Sequence, residues 1–237
     1  MGELLPSPEQ YRSLVGKPNF LTHTMPDLSF VVQHLSQFLQ SPFFSHMHVA
    51  LHILRYLKGS SDVGVFISSS PNLSLSAYCD IDWAACPDTR RSVTGFCILL
   101  GDSFVGWKAK KQHIVSLSLA EAEYRAISKV VAELVWVVRL LFDFGNVVPV
   151  VVPVFCDNQA VIHIAKNPVF HERTKHIEVD CHFIRTKLGE GLIALHHVLT
   201  SSQLAYVFTK PLTRLAHHSL LLKLGVQSPS NLRGCWS

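Results

Sequence analysis

An α/β fold, a mixed sheet of five strands with flanking helices behind a small helical segment, is predicted by three features of the sequence. The spacing of apolar residues changes from helical to alternating near residue 62. A capped amphipathic run of about 27 residues follows the first strands. Short apolar runs then alternate with helical ones, the order expected when helices pack on a sheet.

The elements follow in order. Tyr11 to Leu57 reads as helical, with Val32, Leu35 and Leu39, then Val49, Ile53, Leu54 and Leu57, at three- and four-residue steps, and with Pro26 and Pro42 as breaks. From Asp62 the period is two: Val63, Val65 and Ile67, then Leu73, Leu75, Ala77 and Cys79 on one face against Ser74, Ser76 and Tyr78. Val93 to Leu100 and Ser103 to Lys110 form two further strands joined by the tight turn Gly101-Asp102, so the first three strands run antiparallel. Ser118 to Phe144 is the strongest helix, opened by Ser118 with Glu121 in a capping box and ended by Gly145; Ile127, Val131, Leu134, Val138 and Leu141 make its buried stripe. Val150 to Cys156 has the continuous apolar character of a strand buried on both faces. Asp157-Asn158 can cap a short helix from Gln159 to Ala165. A helix over Lys175 to Leu188, a strand over Ile193 to Val198 and a last helix from Ser202 complete the pattern.

Composition narrows the function classes. The 237 residues are 48% hydrophobic and 16% charged, which excludes a disordered chain. Six cysteines without CxxC pairing sit mostly in apolar runs, the usage of a reducing, intracellular protein of cytoplasm or nucleus. The start, MGELLPSPEQ, lacks the basic flank and apolar core of a secretory signal. The most apolar stretches, Val130 to Phe144 and Val147 to Phe155, are too short and too interrupted to span a membrane. A net charge of +4 permits nucleic acid without demanding it, but the chain has no acid after Glu190, leaving 214–237 as a basic tail.

Asp80 and Asp157 each end a predicted strand, where open α/β sheets present ligands. Glu123 lies four residues before Ile127 on the stripe facing the sheet. Three convergent carboxylates repel one another unless a cation sits among them, and hard oxygen donors suit Mg2+ or Mn2+. On spacing alone, helix capping and the helix dipole are the commoner explanation of these acids. Arg90, Arg91, Lys108, Lys110 and Lys111 flank the hairpin, where they either meet phosphates or lie on an ordinary solvated surface. His171, His176, His182 and Cys181 match no closed zinc spacing, and packing is their simpler role. Asp82 reads as a cap or orienting acid, Trp83 as core, and Asp180 as solvated.

The motifs Tyr78-Cys-Asp-Ile-Asp-Trp-Ala, Arg90-Arg-Ser-Val-Thr-Gly-Phe, Trp107-Lys-Ala-Lys-Lys-Gln, Ala120-Glu-Ala-Glu-Tyr-Arg-Ala, Cys156-Asp-Asn-Gln-Ala and His171-Glu-Arg-Thr-Lys-His-Ile-Glu-Val-Asp-Cys-His-Phe-Ile-Arg are more specific. In order and spacing they resemble the ribonuclease H domain of copia-type retrotransposon Pol polyproteins, over about residues 63–213. Residues 11–59 resemble the end of the reverse transcriptase that precedes that domain. The resemblance implies a helical reverse transcriptase remnant at 1–62, a ribonuclease H-like domain at 63–213, and hydrolysis of the RNA strand of RNA/DNA hybrids. It makes Asp80, Glu123 and Asp157 the carboxylates that hold two Mg2+ or Mn2+ ions, and the rest of a polyprotein a possible partner. The remnant lacks a paired Asp-Asp, so no polymerase activity is expected.

One departure stands out. The family carries a fourth carboxylate in a segment of the form Gln-Leu-Ala-Asp, two residues, then Thr-Lys; here the segment reads Gln203-Leu-Ala-Tyr-Val-Phe-Thr-Lys210. Tyr206 is a neutral phenol at neutral pH and a poor ligand for Mg2+. Met25 and Ala85 stand where the family usually has arginine and glycine. One ion is then held weakly, and three readings stay open: a weakened nuclease, a hybrid-binding module without catalysis, and an inert relic.

Overall fold

The computed structural model describes residues 2–146, 151–167 and 177–228. Within them the chain divides into two compact units, residues 67–210 on one hand and residues 2–66 with 211–228 on the other. The sequence-expected boundaries lie at 62/63 and 213/214.

The larger unit holds a five-stranded sheet in the order β4-β3-β2-β5-β6. β2 (Leu75–Asp82), β3 (Val93–Leu100) and β4 (Ser103–Lys111) run antiparallel, while β5 (Val152–Cys156) pairs parallel with β2 and with β6 (Ile193–His197). This is the expected mixed sheet. Gly101 takes φ +56° between β3 and β4, and a Cβ there would lie 2.5 Å from the carbonyl oxygen of Asn72, so only glycine fits the turn.

α4 (Leu119–Asp143) packs on the sheet. Its Ile127, Val130, Val131 and Leu134 are fully buried with Ala77, Cys79, Phe96, Ile98, Val152 and Val154, each large side chain contributing about 1.5–3 kcal/mol of transfer free energy. The start follows the capping reading: Ser118 Oγ accepts from the Glu121 N–H at 3.1 Å. The Glu121 carboxylate accepts from the Leu117 N–H and pairs with Arg125 one turn on, each at 2.8 Å. α5 (Gln159–Lys166) is capped by Asn158, whose Oδ1 accepts from Val161 N–H at 3.3 Å. Asp157 is thereby left out of the cap. α6 (Glu178–Gly189) precedes β6.

Several expectations change. β5 is not buried on both faces: Val152, Val154 and Cys156 are buried, but Pro153 and Phe155 are only half-buried. The second face is covered by rings, Phe155 stacking on Tyr78 at 4.7 Å. Trp83 is no core residue; it is 46% exposed, its indole N–H bound to the Ser116 carbonyl at 3.2 Å. Asp180 is half-buried. No α-helix starts at Ser202. Two 3-10 turns, Thr200–Ser202 and Leu204–Phe208, replace it, because Gln203 is extended between them and Pro211 stops any continuation.

In the smaller unit, α1 (Pro8–Leu21), α2 (Leu28–Leu35) and α3 (Phe44–Gly59) bury Tyr11, Val15, Leu28, Val32, Leu35, Ala50 and Ile53 together. The Tyr11 hydroxyl donates to the Leu35 carbonyl at 2.8 Å. The alternating run from Val63 yields only β1 (Gly64–Val65), which leaves the main sheet and pairs with β7 (Val226–Gln227). Residues 214–228, expected as a tail, form α7 (Arg214–Lys223) and β7 within this unit. No helix among the described residues is long and apolar enough to cross a membrane.

Candidate active site

β2 carries Asp80 near its carboxyl end, β5 is followed directly by Asp157, and parallel pairing of the two strands sets both acids at one end of the sheet. Glu123 reaches the same end from the first turns of α4. One oxygen of Glu123, one of Asp157 and the Cys156 sulfur lie within 4.8 Å of one another, and Cys156 Sγ is 3.8 Å from Glu123 Oε2. Asp80 is 2% and Glu123 3% exposed.

Burial dominates their chemistry. Desolvation, and next the neighbouring Cys156, Asp80 and Asp157, push Glu123 up to about 10. Desolvation pushes Asp80 up to about 6, although the Lys210 ammonium and the Thr209 hydroxyl both favour its ionised form. One buried acid held protonated, Glu123, and a second raised towards neutrality, Asp80, stand beside a third, a set of hard oxygen donors that a divalent cation would complete. The donor chemistry of Asp80, Glu123 and Asp157 therefore fits Mg2+ or Mn2+.

The segment after β6 supplies the rest. Gln203, fully buried, donates from Nε2 to the Cys79 carbonyl at 2.9 Å and accepts at Oε1 from the Ala205 N–H at 3.1 Å, which ties the 204–208 turn to β2. From that turn the Tyr206 hydroxyl donates to Asp157 Oδ2 at 2.7 Å. The Thr209 hydroxyl donates to Asp80 Oδ2, and Lys210 Nζ lies 3.3 Å from the same oxygen. Lys210 also sits 3.8 Å above the Tyr206 ring centroid. Gly95, opposite Asp80 in the β2–β3 register, makes room for the turn: a Cβ there would be 2.6 Å from Thr209 Cγ2 and 2.7 Å from Phe208 Cβ.

Asp80, Glu123, Asp157 and Tyr206 are thus brought together. Sequence reasoning missed the contacts of Thr209, Lys210 and Gln203 with β2, although their segment was singled out for its tyrosine; a Thr-Lys pair three residues beyond that tyrosine was the available signal. Lys108, Lys110 and Lys111 line a cavity of about 480 Å³ on β4 and α4 that Arg125 and Lys129 also border. Arg90 and Arg91 belong to the loop before β3 and not to that lining; Arg90 takes φ +52°. Lys108 pairs with Glu133 at 3.2 Å, and Lys111 donates to Cys86 Sγ at 2.9 Å. The Cys86 thiol falls to about 7, hydrogen bonds from Lys111 and Thr89 outweighing its desolvation. Cys181 is buried and His182 exposed on α6; His171 and His176 lie outside the described residues. Asp82 is half-buried, which raises its carboxyl above the ordinary range against the pull of Lys210.

No family model matches the chain. A solved structure of LC11-RNase H1 in complex with an RNA/DNA hybrid matches 55% of this chain and 88% of that one at 15% identity, with a TM-score of 0.40. The retrovirus-related Pol polyprotein from transposon RE2 of Arabidopsis thaliana is 41% identical over 225 residues, 95% of this chain and 16% of that protein. The Pol polyprotein from transposon RE1 of the same plant is 40% identical over 225 residues, again 95% of this chain and 15% of the relative. The chain therefore spans less than a fifth of the length of these curated relatives. With such identity sustained through nearly its whole length, the chain belongs to the copia-type retrovirus-related Pol polyproteins.

Proposed function

We propose that residues 63–213 act as a ribonuclease H-like domain that cleaves the RNA strand of RNA/DNA hybrids with two divalent ions, Mg2+ or Mn2+, one of them weakly held because Tyr206 replaces a carboxylate. The observation that carries this reading is the approach of Glu123 and Asp157 to within 4.8 Å of each other, with Asp80 set at the same end of the sheet by the parallel pairing of β2 with β5. Bound there, divalent ions supply an activated water and charge neutralisation at the leaving oxygen.

The chain's own residues do the rest. Thr209 and Lys210 fix the Asp80 carboxylate and favour its ionised form. Tyr206 occupies one oxygen of Asp157. Lys108, Lys110 and Lys111, with Arg90 and Arg91, supply positive charge for hybrid phosphates. Discrimination of RNA from DNA rests on the 2′-hydroxyl. Residues 1–62 are read as the carboxyl end of a reverse transcriptase without polymerase activity, 214–237 as a basic terminal segment, and the setting as intracellular, alongside the rest of a polyprotein.

The test is cleavage of an end-labelled RNA/DNA hybrid in Mg2+ and in Mn2+, with Asp80→Asn and Tyr206→Asp in parallel. Cleavage by the parent that Asp80→Asn abolishes supports the nuclease. Hybrid binding without cleavage by the parent, with cleavage by Tyr206→Asp, supports the module without catalysis; the hydrogen bond that ties up Asp157 favours this second reading.

A further inference from the structure

Lys210 places a positive charge inside the carboxylate cluster. Its Nζ is 3.3 Å from Asp80 Oδ2, an oxygen that also accepts from Thr209, and the Asp80 side chain is 3% exposed. The same ammonium lies 3.8 Å above the Tyr206 ring, whose hydroxyl is bound to Asp157 Oδ2 at 2.7 Å. An aromatic face holds an ammonium and a carboxylate attracts it, so Tyr206 and Asp80 together fix the lysine head that would otherwise be mobile on its four-carbon stem. One oxygen each of Asp80 and Asp157 is therefore engaged by donors from the 206–210 segment, on the side where Tyr206 stands in place of a carboxylate. On the Glu123 side the largest influences after burial are Cys156, Asp80 and Asp157, each of which raises the Glu123 carboxyl.

Charge counting points the same way. Three ionised carboxylates balance one divalent ion and one ammonium, whereas two divalent ions beside that ammonium leave two positive charges uncompensated in a buried site. Aspartate at position 206 would remove half of that excess and the ring that seats the lysine.

We propose that the Lys210 ammonium is a resident cation of this cluster, filling one of its two cation positions, so that the chain takes up a single divalent ion on the side of Glu123 and Asp157. This rests on the proposed reading of the cluster as a divalent-metal site and puts the lysine in place of that reading's second, weakly held ion. In this arrangement Tyr206 does more than remove a ligand: it builds the seat for the cation that takes the place of the second ion.

The test counts Mn2+ bound to the full chain, without nucleic acid, by electron paramagnetic resonance of the free ion and by calorimetry. The parent and Lys210→Arg, which keeps the charge, are expected to bind one ion. Lys210→Met is expected to bind its first Mn2+ roughly tenfold more tightly, through loss of repulsion at close range. Lys210→Met combined with Tyr206→Asp is expected to bind two. Two ions on the parent, or unchanged affinity in a folded Lys210→Met, would overturn this proposal and leave the metal site standing. No Mn2+ on the parent or any variant would overturn both. Should Lys210→Met not fold, the ion count of the parent decides.

Discussion

The hydroxyl of Tyr206 donates a 2.7 Å hydrogen bond to Oδ2 of Asp157 across 49 residues of sequence. Burial raises the phenol further above its ordinary value, so it stays a donor throughout the neutral range. Tyr206→Phe removes the bond without adding a ligand. It is expected to lower stability by about 0.5–1.5 kcal/mol in urea unfolding and, by freeing Asp157 Oδ2, to raise cleavage less than Tyr206→Asp does. Tyr206→Asp is expected to raise Mg2+-dependent cleavage by roughly tenfold or more, by adding an ionised oxygen ligand. Equal rates for parent, Phe and Asp chains would show that this position does not limit the site.

Tyr206 was legible in the sequence because a single residue broke a motif. Its partner was not, since nothing local in Cys156-Asp-Asn-Gln says that a residue 49 positions on will bind the aspartate. The same limit separates β1 from β7: alternation at Val63 to Ile67 indicates an extended run, but not that Val65 pairs with Val226 outside the main sheet. Elements set by local periodicity and capping, such as α4 with its Ser118 cap, were readable to within a residue or two. Trp83 was misread because apolar character predicts burial only on average; its indole N–H drew it to the Ser116 carbonyl near the surface.

The two buried acids set a pH dependence. Glu123 rises from 4.5 to about 10 and Asp80 from 3.8 to about 6 on folding, with desolvation the main cause of both. Between 4.5 and about 10 the folded chain keeps a proton on Glu123 that the unfolded chain has lost, so stability is fully present below 4.5 and declines as pH rises through that window. Asp80 adds to the decline between 3.8 and about 6. In the presence of a chelator the urea midpoint should fall between about pH 6 and about pH 9, and Glu123→Gln should flatten the slope. Excess Mg2+ should restore the midpoint at high pH, because a bound cation does the proton's work. A midpoint that climbs over this range would contradict the burial of Glu123 as an acid.

Lys110 is an exposed cation on β4 at the border of the basic cavity. If that strand meets phosphates, Lys110→Ala should weaken binding to hybrids of any sequence alike and reduce the slope of log affinity against log salt by about 0.7–0.9, with the melting temperature unchanged. Lys108→Ala should behave similarly and cost little stability, since its pair with Glu133 is nearly half exposed at both ends. An unchanged salt slope in both variants would place the nucleic-acid path elsewhere.

Gly95 couples the sheet to the site. It faces Asp80 in register, and the 204–208 turn lies so close that a methyl group would meet Thr209 Cγ2 at 2.6 Å, Phe208 Cβ at 2.7 Å and the Ala205 carbonyl oxygen at 3.1 Å. Two of these contacts are backbone or Cβ atoms that no rotamer change can move, so alanine must push the turn away from β3. Thr209 and Lys210 would lose Asp80, and Tyr206 would lose Asp157, although none of them has been altered. Gly95→Ala is therefore expected to destabilise the chain by about 1–3 kcal/mol and to change divalent-ion affinity in the same variant. Gly106→Ala, whose added methyl would meet only Ile98 side-chain atoms at 3.7–3.8 Å, provides the control and should leave ion affinity unchanged. Ion affinity equal in parent, Gly95→Ala and Gly106→Ala would show that the turn's seating on β3 does not position the groups around Asp80.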